Sequence, residues 1–342
     1  MKFFKTILAN LLMIAVITSC SHNMPQGKHL AMHHLTFKQH QKLVWNVVFS
    51  PDSKQVASAG VDKEVKVWSV NDGKVRLNLL HPEGVPAIAY SPDGKTIATG
   101  SYDHLVRLWS SENGALLKTF RGHENTIWGL AFSPDGKTIA SGGVDKTVRL
   151  WNLQTGEVQL LKGHRRDIWS LAFSPDGKLL ATSGEDAIIK IWRLDTNQLV
   201  TELTDHSWSV LSMAFSPDGK ILASGSDDSS VKLWDTSNWQ VINTLEGGSY
   251  SVYGVAFSPD GKKLISGSRD RNAVAEVLQY HMNYSGFSKG TSLRIWDVKT
   301  GQLLQAIADH DNDVNNVAYS ADGKWIASAS EDKSVIVYQM IE

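Results

Sequence analysis

Between residues 127 and 162 the apolar and polar positions fall into four short runs separated by turn-forming residues. Ile127 to Phe132 is apolar at its ends with small residues between. Ser133-Pro134-Asp135-Gly136-Lys137 follows, in which proline presets φ and glycine supplies a positive φ, the chemistry of a tight hairpin turn. Thr138 to Ser141 predicts a second strand. After a turn at Asp145-Lys146, Thr147 to Trp151, rich in β-branched residues, predicts a third. Gln154-Thr155-Gly156-Glu157 leads into a fourth, Val158 to Lys162. No helical period crosses these runs.

The same unit recurs about every 41–42 residues, marked by polar residues at fixed spacing. Ser141 follows His123 by 18 residues, Asp145 follows Ser141 by four, and Trp151 follows Asp145 by six. The set recurs as His40, Ser58, Asp62 and Trp68, and as His81, Thr99, Asp103 and Trp109. It recurs again as His164, Thr182, Asp186 and Trp192, and as His206, Ser224, Asp228 and Trp234. A sixth copy has Gly248 at the histidine position, and a seventh keeps His310, Ser328 and Asp332 but ends on Tyr338. Seven repeats of four antiparallel strands predict an all-β, seven-bladed propeller.

These residues resemble the WD-repeat (WD40) propeller family over roughly 35–342. The family's Trp-Asp pair stands at Trp234-Asp235 and Trp296-Asp297, and drifts to Trp-Ser, Trp-Ser, Trp-Asn and Trp-Arg at 68, 109, 151 and 192. The resemblance implies blades around a central channel, with the His and Asp loops together on one "top" face. It also implies a network running from the Trp indole through Ser or Thr and His to Asp. A further implication is closure of the ring by an N-terminal strand. Leu35 to Lys38 would supply the outer strand that the last copy, Val314 to Tyr338, lacks.

A chain of 342 residues suggests two domains by length alone, but a propeller closes as one. Lysine and arginine total 34 against 35 acidic residues, so bulk charge gives no reason to expect nucleic acid as a partner. Residues 1–20 are of another kind. Lys2 and Lys5 precede an apolar run from Thr6 to Ile17, shorter than the ~20 residues needed to span a bilayer and suited to a signal-peptide core. Ile17-Thr18-Ser19-Cys20 resembles the bacterial lipobox, and Cys20 is the chain's one cysteine, so no intramolecular disulfide is possible. The expected organisation is therefore a signal peptide at 1–19, an acylated Cys20 with a tether to 34, and the propeller from 35 to 342. An ordinary secretory signal or an uncleaved anchor is the competing reading.

The lipobox resemblance implies diacylglycerol on the Cys20 sulfur, which makes the membrane a partner through the anchor. Two or three acyl chains, at roughly 0.8 kcal/mol per buried CH₂, hold stably where one holds marginally. The location implied is the cell envelope, facing the periplasm or exterior. Ser21 in place of Asp after the cysteine favours the outer membrane.

A repeated Ser-His-Asp set invites comparison with a hydrolase triad. Catalysis needs one site with an oxyanion hole, whereas this set occurs in five full copies beside a tryptophan, and no Gly-x-Ser-x-Gly elbow is present. The set reads as architecture, and no enzyme is expected. Asp309, Asp311 and Asp313 mimic a calcium loop, but Val314 and Ser320 stand where Gly and Glu are required, so an exposed acidic loop is expected. His22, His29, His33 and His34 have no Cys or carboxylate at ligand spacing, so neither metal nor cofactor is expected.

What varies over the repeats is more informative. Five residues after each His position stand Trp45, Pro86, Trp128, Trp169, Leu211, Tyr253 and Asn315, which the resemblance places at the channel mouth. Before each Asp stand Val61, Tyr102, Val144, Glu185, Asp227, Arg269 and Glu331. Arg165, Arg166, Asp167 and Trp208 lie in the His loops. The expected partner surface is Trp45, Tyr102, Trp128, Arg165, Arg166, Trp169, Glu185, Trp208, Leu211, Asp227, Tyr253 and Arg269. The competing reading packs the rings between blades as core. In the sixth copy 26 residues separate Asp270 from Trp296 where six are usual, an insertion at about 272–290. Helical spacing in Ala273 to Met282 predicts a short helix there, in a lid or partner-contact element, with surface decoration as the competing reading. The function expected is a protein-interaction scaffold. The alternative is a module for cell-wall glycan, stacking sugars on Trp45, Trp128, Trp169 and Tyr253.

Overall fold

A computed structural model describes residues 29–246, 250–269 and 292–341. The signal peptide, Cys20, the tether up to residue 28, Gly248 and the insertion of the sixth copy lie outside the described residues. The rest is twenty-eight strands in seven four-stranded antiparallel sheets, with no helix among the described residues.

In the third blade the strands are Ile127–Phe132, Thr138–Gly143, Thr147–Asn152 and Val158–Lys162, ordered from the axis outwards. The second strand is Thr-Ile-Ala-Ser-Gly-Gly, with every residue after Thr138 buried, because the next blade packs directly on it. A Cβ on Gly142 would lie 2.7 Å from Ile168 of the fourth blade, and one on Gly143 only 1.9 Å from the Thr126 carbonyl. The core is therefore a set of layers between blades. Ala140, Val148, Leu150 and Leu161 of the third blade pack on Ile168, Leu171, Leu180 and Trp192 of the fourth.

Strand Ala31–Phe37 pairs antiparallel with Val335–Met340, from Ala31 opposite Met340 to Phe37 opposite Val335, and closes the ring. It starts four residues before the boundary expected at Leu35. His33 and His34 give no apolar signal, which is why they read as tether. What fixes the strand is contact made at long range. Ala31 is buried against Ile295 and Ile307, and the Gln305 side chain clamps the backbone. Its Oε1 accepts from Leu30 N at 2.7 Å and Ala31 N at 2.9 Å, while its Nε2 donates to Ala31 O at 3.0 Å. His34 packs on Trp325 with ring centroids 4.6 Å apart and donates from Nε2 to Val70 O at 3.2 Å.

The seam between the last and first blades carries a second adaptation. In six blades the Ser-x-Asp-Gly turn places glycine at positive φ, and each of these six glycines rests on the turn proline of the blade before, as Gly136 does on Pro92. At the seam that proline is replaced by Ala321 and the glycine by Ser53, which sits at φ 61°. Ser53 Oγ accepts from Asp322 N at 3.1 Å, tying the two turns together where the chain is not continuous.

Candidate functional site

The repeated polar residues form a latch in the first, third, fourth, fifth and seventh blades, the last through His310, Ser328 and Asp332. In the third, the carboxylate of Asp145 can only accept, so the His123 Nδ1–H donates to it at 2.8 Å. Nε2 then accepts from the Ser141 hydroxyl at 2.7 Å, and Ser141 Oγ accepts from the Trp151 indole at 2.7 Å. His40-Ser58-Asp62-Trp68, His164-Thr182-Asp186-Trp192 and His206-Ser224-Asp228-Trp234 repeat this chain. Burial works against the Asp145 charge, but the bond from His123 and the Glu124 N–H hold its carboxyl well below the usual range. Ser58, Ser141, Thr182 and Ser224 are fully enclosed, with their hydroxyls committed within the latch. A nucleophile in that position could not reach a substrate.

The second blade departs from the expected network. His81 Nε2 bonds with Thr99 Oγ1 at 2.9 Å, and Trp109 donates to the same oxygen at 3.0 Å, but His81 Nδ1 donates to the Leu79 carbonyl at 3.1 Å. Asp103 instead grips Arg107 with two bonds, at 3.0 and 2.6 Å. The cause is Pro82. In the intact latches the residue after His donates its backbone N–H to the Asp, as Gln41, Glu124, Arg165 and Ser207 do. Proline has no N–H to give. His81 is left neutral, burial pushing its pKa from 6.5 to about 4 with the Arg107 charge adding to the effect. In the sixth blade Trp296 still donates to Ser266 at 2.9 Å.

The channel mouth is built by a backbone irregularity. In six blades the pairing of the first two strands skips one residue near its start, and the skipped residues are Trp45, Trp128, Trp169, Leu211, Tyr253 and Asn315. A β-bulge leaves one residue without a cross-strand partner and re-aims its side chain. All six line a cavity of about 840 Å³ along the axis, as does Pro86, where the second blade's inner strand starts only at Ala87.

The aromatic residues there touch one another. Trp128 lies edge-on to Trp45 and Trp169, with centroids 5.2 and 5.0 Å apart, and to Tyr102 at 5.7 Å. The Trp45 indole donates to Tyr102 Oη at 2.6 Å. Tyr102 fits because position 84 is glycine: a Cβ there would stand 2.8 Å from its ring. The tryptophans are half-buried, so they are neither sealed between sheets nor free in solvent. The enclosed Trp169 Nε1 has no acceptor among the described residues.

Of the expected partner surface, Trp45, Trp128, Trp169, Leu211, Asp227 and Tyr253 converge on this cavity, with Tyr102 against two of the rings. Arg165, Arg166, Glu185 and Trp208 do not line it. They form an exposed outer rim, with Arg166 3.8 Å from Glu185 and Trp208 66% exposed. In the expected acidic loop Asp309 and Asp311 are exposed, while Asp313 is buried and lies 3.6 Å from Arg269. Burial raises the Tyr253 pKa, and Asp313, Asp227 and Glu331 add to it against Arg269. Asn315 and Asn46, outside the expected partner surface, also line the cavity. Asn315 Nδ2 donates to Val44 O at 2.9 Å, bracing the mouth at the closing seam.

The pattern of the WD domain, G-beta repeat (WD40) matches residues 33–69, 73–110, 114–152, 156–193, 197–235, 239–274 and 301–339, well over half of the chain. The chain belongs to the WD40 family. Similar proteins include nuclear distribution protein nudF of Aspergillus niger, 34% identical over 53 residues, 16% of this chain and 12% of that one. Human intraflagellar transport protein 122 homolog is 47% identical over 49 residues, 14% of this chain and 4% of its own. Translation initiation factor 3 subunit I of Culex quinquefasciatus is 38% identical over 47 residues, 14% of each chain. The chain thus spans only a small part of the curated relatives it matches. WD40 propellers of this kind are typically non-catalytic scaffolds for protein interaction.

Proposed function

We propose that this WD40 propeller is a non-catalytic interaction scaffold, held at a bacterial cell envelope by lipid on Cys20, which engages partner proteins through the aromatic mouth of its channel. The observation carrying this reading is the bulge repeated in six inner strands, which sets three indoles, a tyrosine and a leucine around one opening. Half-exposed tryptophan and tyrosine at the rim of a concavity are the side chains that dominate protein contacts.

The anchor agrees with this orientation. Strand Ala31–Phe37 begins beside Met340, whose N–H bonds to Lys324 O in the turn at the other end of the blade from the His and Asp loops. A tether joined at Leu30 would therefore leave from the end opposite the mouth and present the mouth away from the membrane. The sugar-stacking alternative is less well served. The rings of Trp45, Trp128 and Trp169 meet at interplanar angles of 84° and 61°, which makes a concave cluster rather than the flat platform a pyranose needs.

In-cell crosslinking followed by mass spectrometry of the wild type and Trp128→Ala tests the scaffold. Partners joined by the wild type and lost from a folded variant are expected; equal yields refute it. Saturable tryptophan quenching by cell-wall oligosaccharides would favour the glycan module instead. Metabolic labelling with palmitate should mark the wild type and not Cys20→Ala, and an unlabelled wild type removes the anchor.

A further inference from the structure

The cavity wall has one feature that the scaffold reading alone does not use. Among the described residues lining it, Asp227 is the single charged one. Opposite and beside it the wall is aromatic and apolar: Trp45, Trp128, Trp169, Leu211 and Tyr253. The Asp227 side chain makes no hydrogen bond or ion pair with a described residue. Arg269, which stands at the same repeat position one blade on, lies 3.6 Å from Asp313.

We propose that the channel mouth receives a basic side chain, arginine or lysine, protruding from the protein partner, with its cationic head on Asp227 and its methylene stem against the indoles. This rests on the scaffold reading and names the chemistry of its partner. A cation is the ligand that both parts of the wall favour at once. The negative π faces of tryptophan and tyrosine attract it, and so does the carboxylate. A neutral apolar residue would leave Asp227 desolvated without a counter-ion, and an anion would be repelled by it. Edge-to-face packing of Trp45, Trp128 and Trp169 fixes their rings without closing the opening, so little side-chain freedom remains to be lost on binding.

The test is an NMR titration of the full chain, ¹⁵N-labelled at tryptophan, with acetylated alanine pentapeptides carrying arginine, lysine, citrulline or glutamate at the centre. The arginine and lysine peptides should shift the indole signals of Trp45, Trp128 and Trp169, and the neutral citrulline and acidic glutamate peptides should not. Asp227→Asn, nearly isosteric and placed on a half-buried loop, should weaken the basic peptides about tenfold. Glu185→Gln on the outer rim should leave them unchanged. Equal shifts from arginine and citrulline, an unaltered affinity in Asp227→Asn, or no shift with any peptide would overturn the assignment. Choline shifting the indoles as strongly as the peptides would overturn the protein-borne source of the cation. A partner whose crosslinking needs Trp128 but ignores Asp227→Asn would keep the scaffold and remove this occupant.

Discussion

Lowering the pH should destabilise this propeller through one histidine, His81. In the folded chain its imidazole is buried and denied a carboxylate, and its pKa falls from 6.5 to about 4. The unfolded chain takes up that proton near 6.5 and the folded chain only near 4, so between those values the unfolded state binds more protons and is favoured. The contribution is fully present above 6.5 and is lost as the pH falls towards 4. At about 1.36 kcal/mol per pH unit, the loss comes to roughly 1.4 kcal/mol by pH 5.5 and about 2.5 kcal/mol by pH 4.5. Urea unfolding of the wild type and His81→Gln over this range isolates the effect. The variant starts less stable, because it disturbs the bonds to Thr99 and Leu79, but its stability should change less with pH by about that amount. Hydrogen exchange should place the first opening in the second blade, residues 87–120. Parallel pH dependences in the two proteins, or first opening elsewhere, would refute the reasoning.

Ser141→Ala should cost about 2–4 kcal/mol by denaturant unfolding, since it leaves the Trp151 indole N–H and His123 Nε2 without a partner in an enclosed site. At the closing seam Ser53→Ala should be less stable than Ser53→Gly, against the usual order. Both lose the bond to Asp322, but only glycine relieves the backbone at φ 61°, a difference of about 1 kcal/mol in paired melting curves. Gln305→Ala removes three bonds to Leu30 and Ala31, and exchange protection should fall first in residues 31–37 and 335–340. Acidification below the usual carboxylate range should weaken the intact latches. The Asp145, Asp228 and Asp332 carboxyls are held low when folded, so their contribution is present at neutral pH and disappears only in strong acid, as circular dichroism against pH would record.

The amino-acid sequence by itself determined the strands, their number and the ring. Each of those rests on local chemistry repeated at a fixed interval: proline and glycine in the Ser133–Lys137 turn, β-branched residues in Thr147 to Trp151, and polar markers that must bond wherever they are buried. The loss of the second latch was also written there, because Pro82 follows His81 and cannot donate to Asp103, although only the structure shows Arg107 taking the vacated carboxylate. The mouth was half legible. Trp45, Trp128 and Trp169 stood at one repeat position, but whether they faced the channel or packed between blades depended on a one-residue slip in strand pairing, which flips a side chain from one side of a sheet to the other. Contacts between residues 45 and 102, or 30 and 305, join parts of the chain that no local pattern relates. Only closing the ring brings them together, and only then does one carboxylate come to face a cluster of indoles.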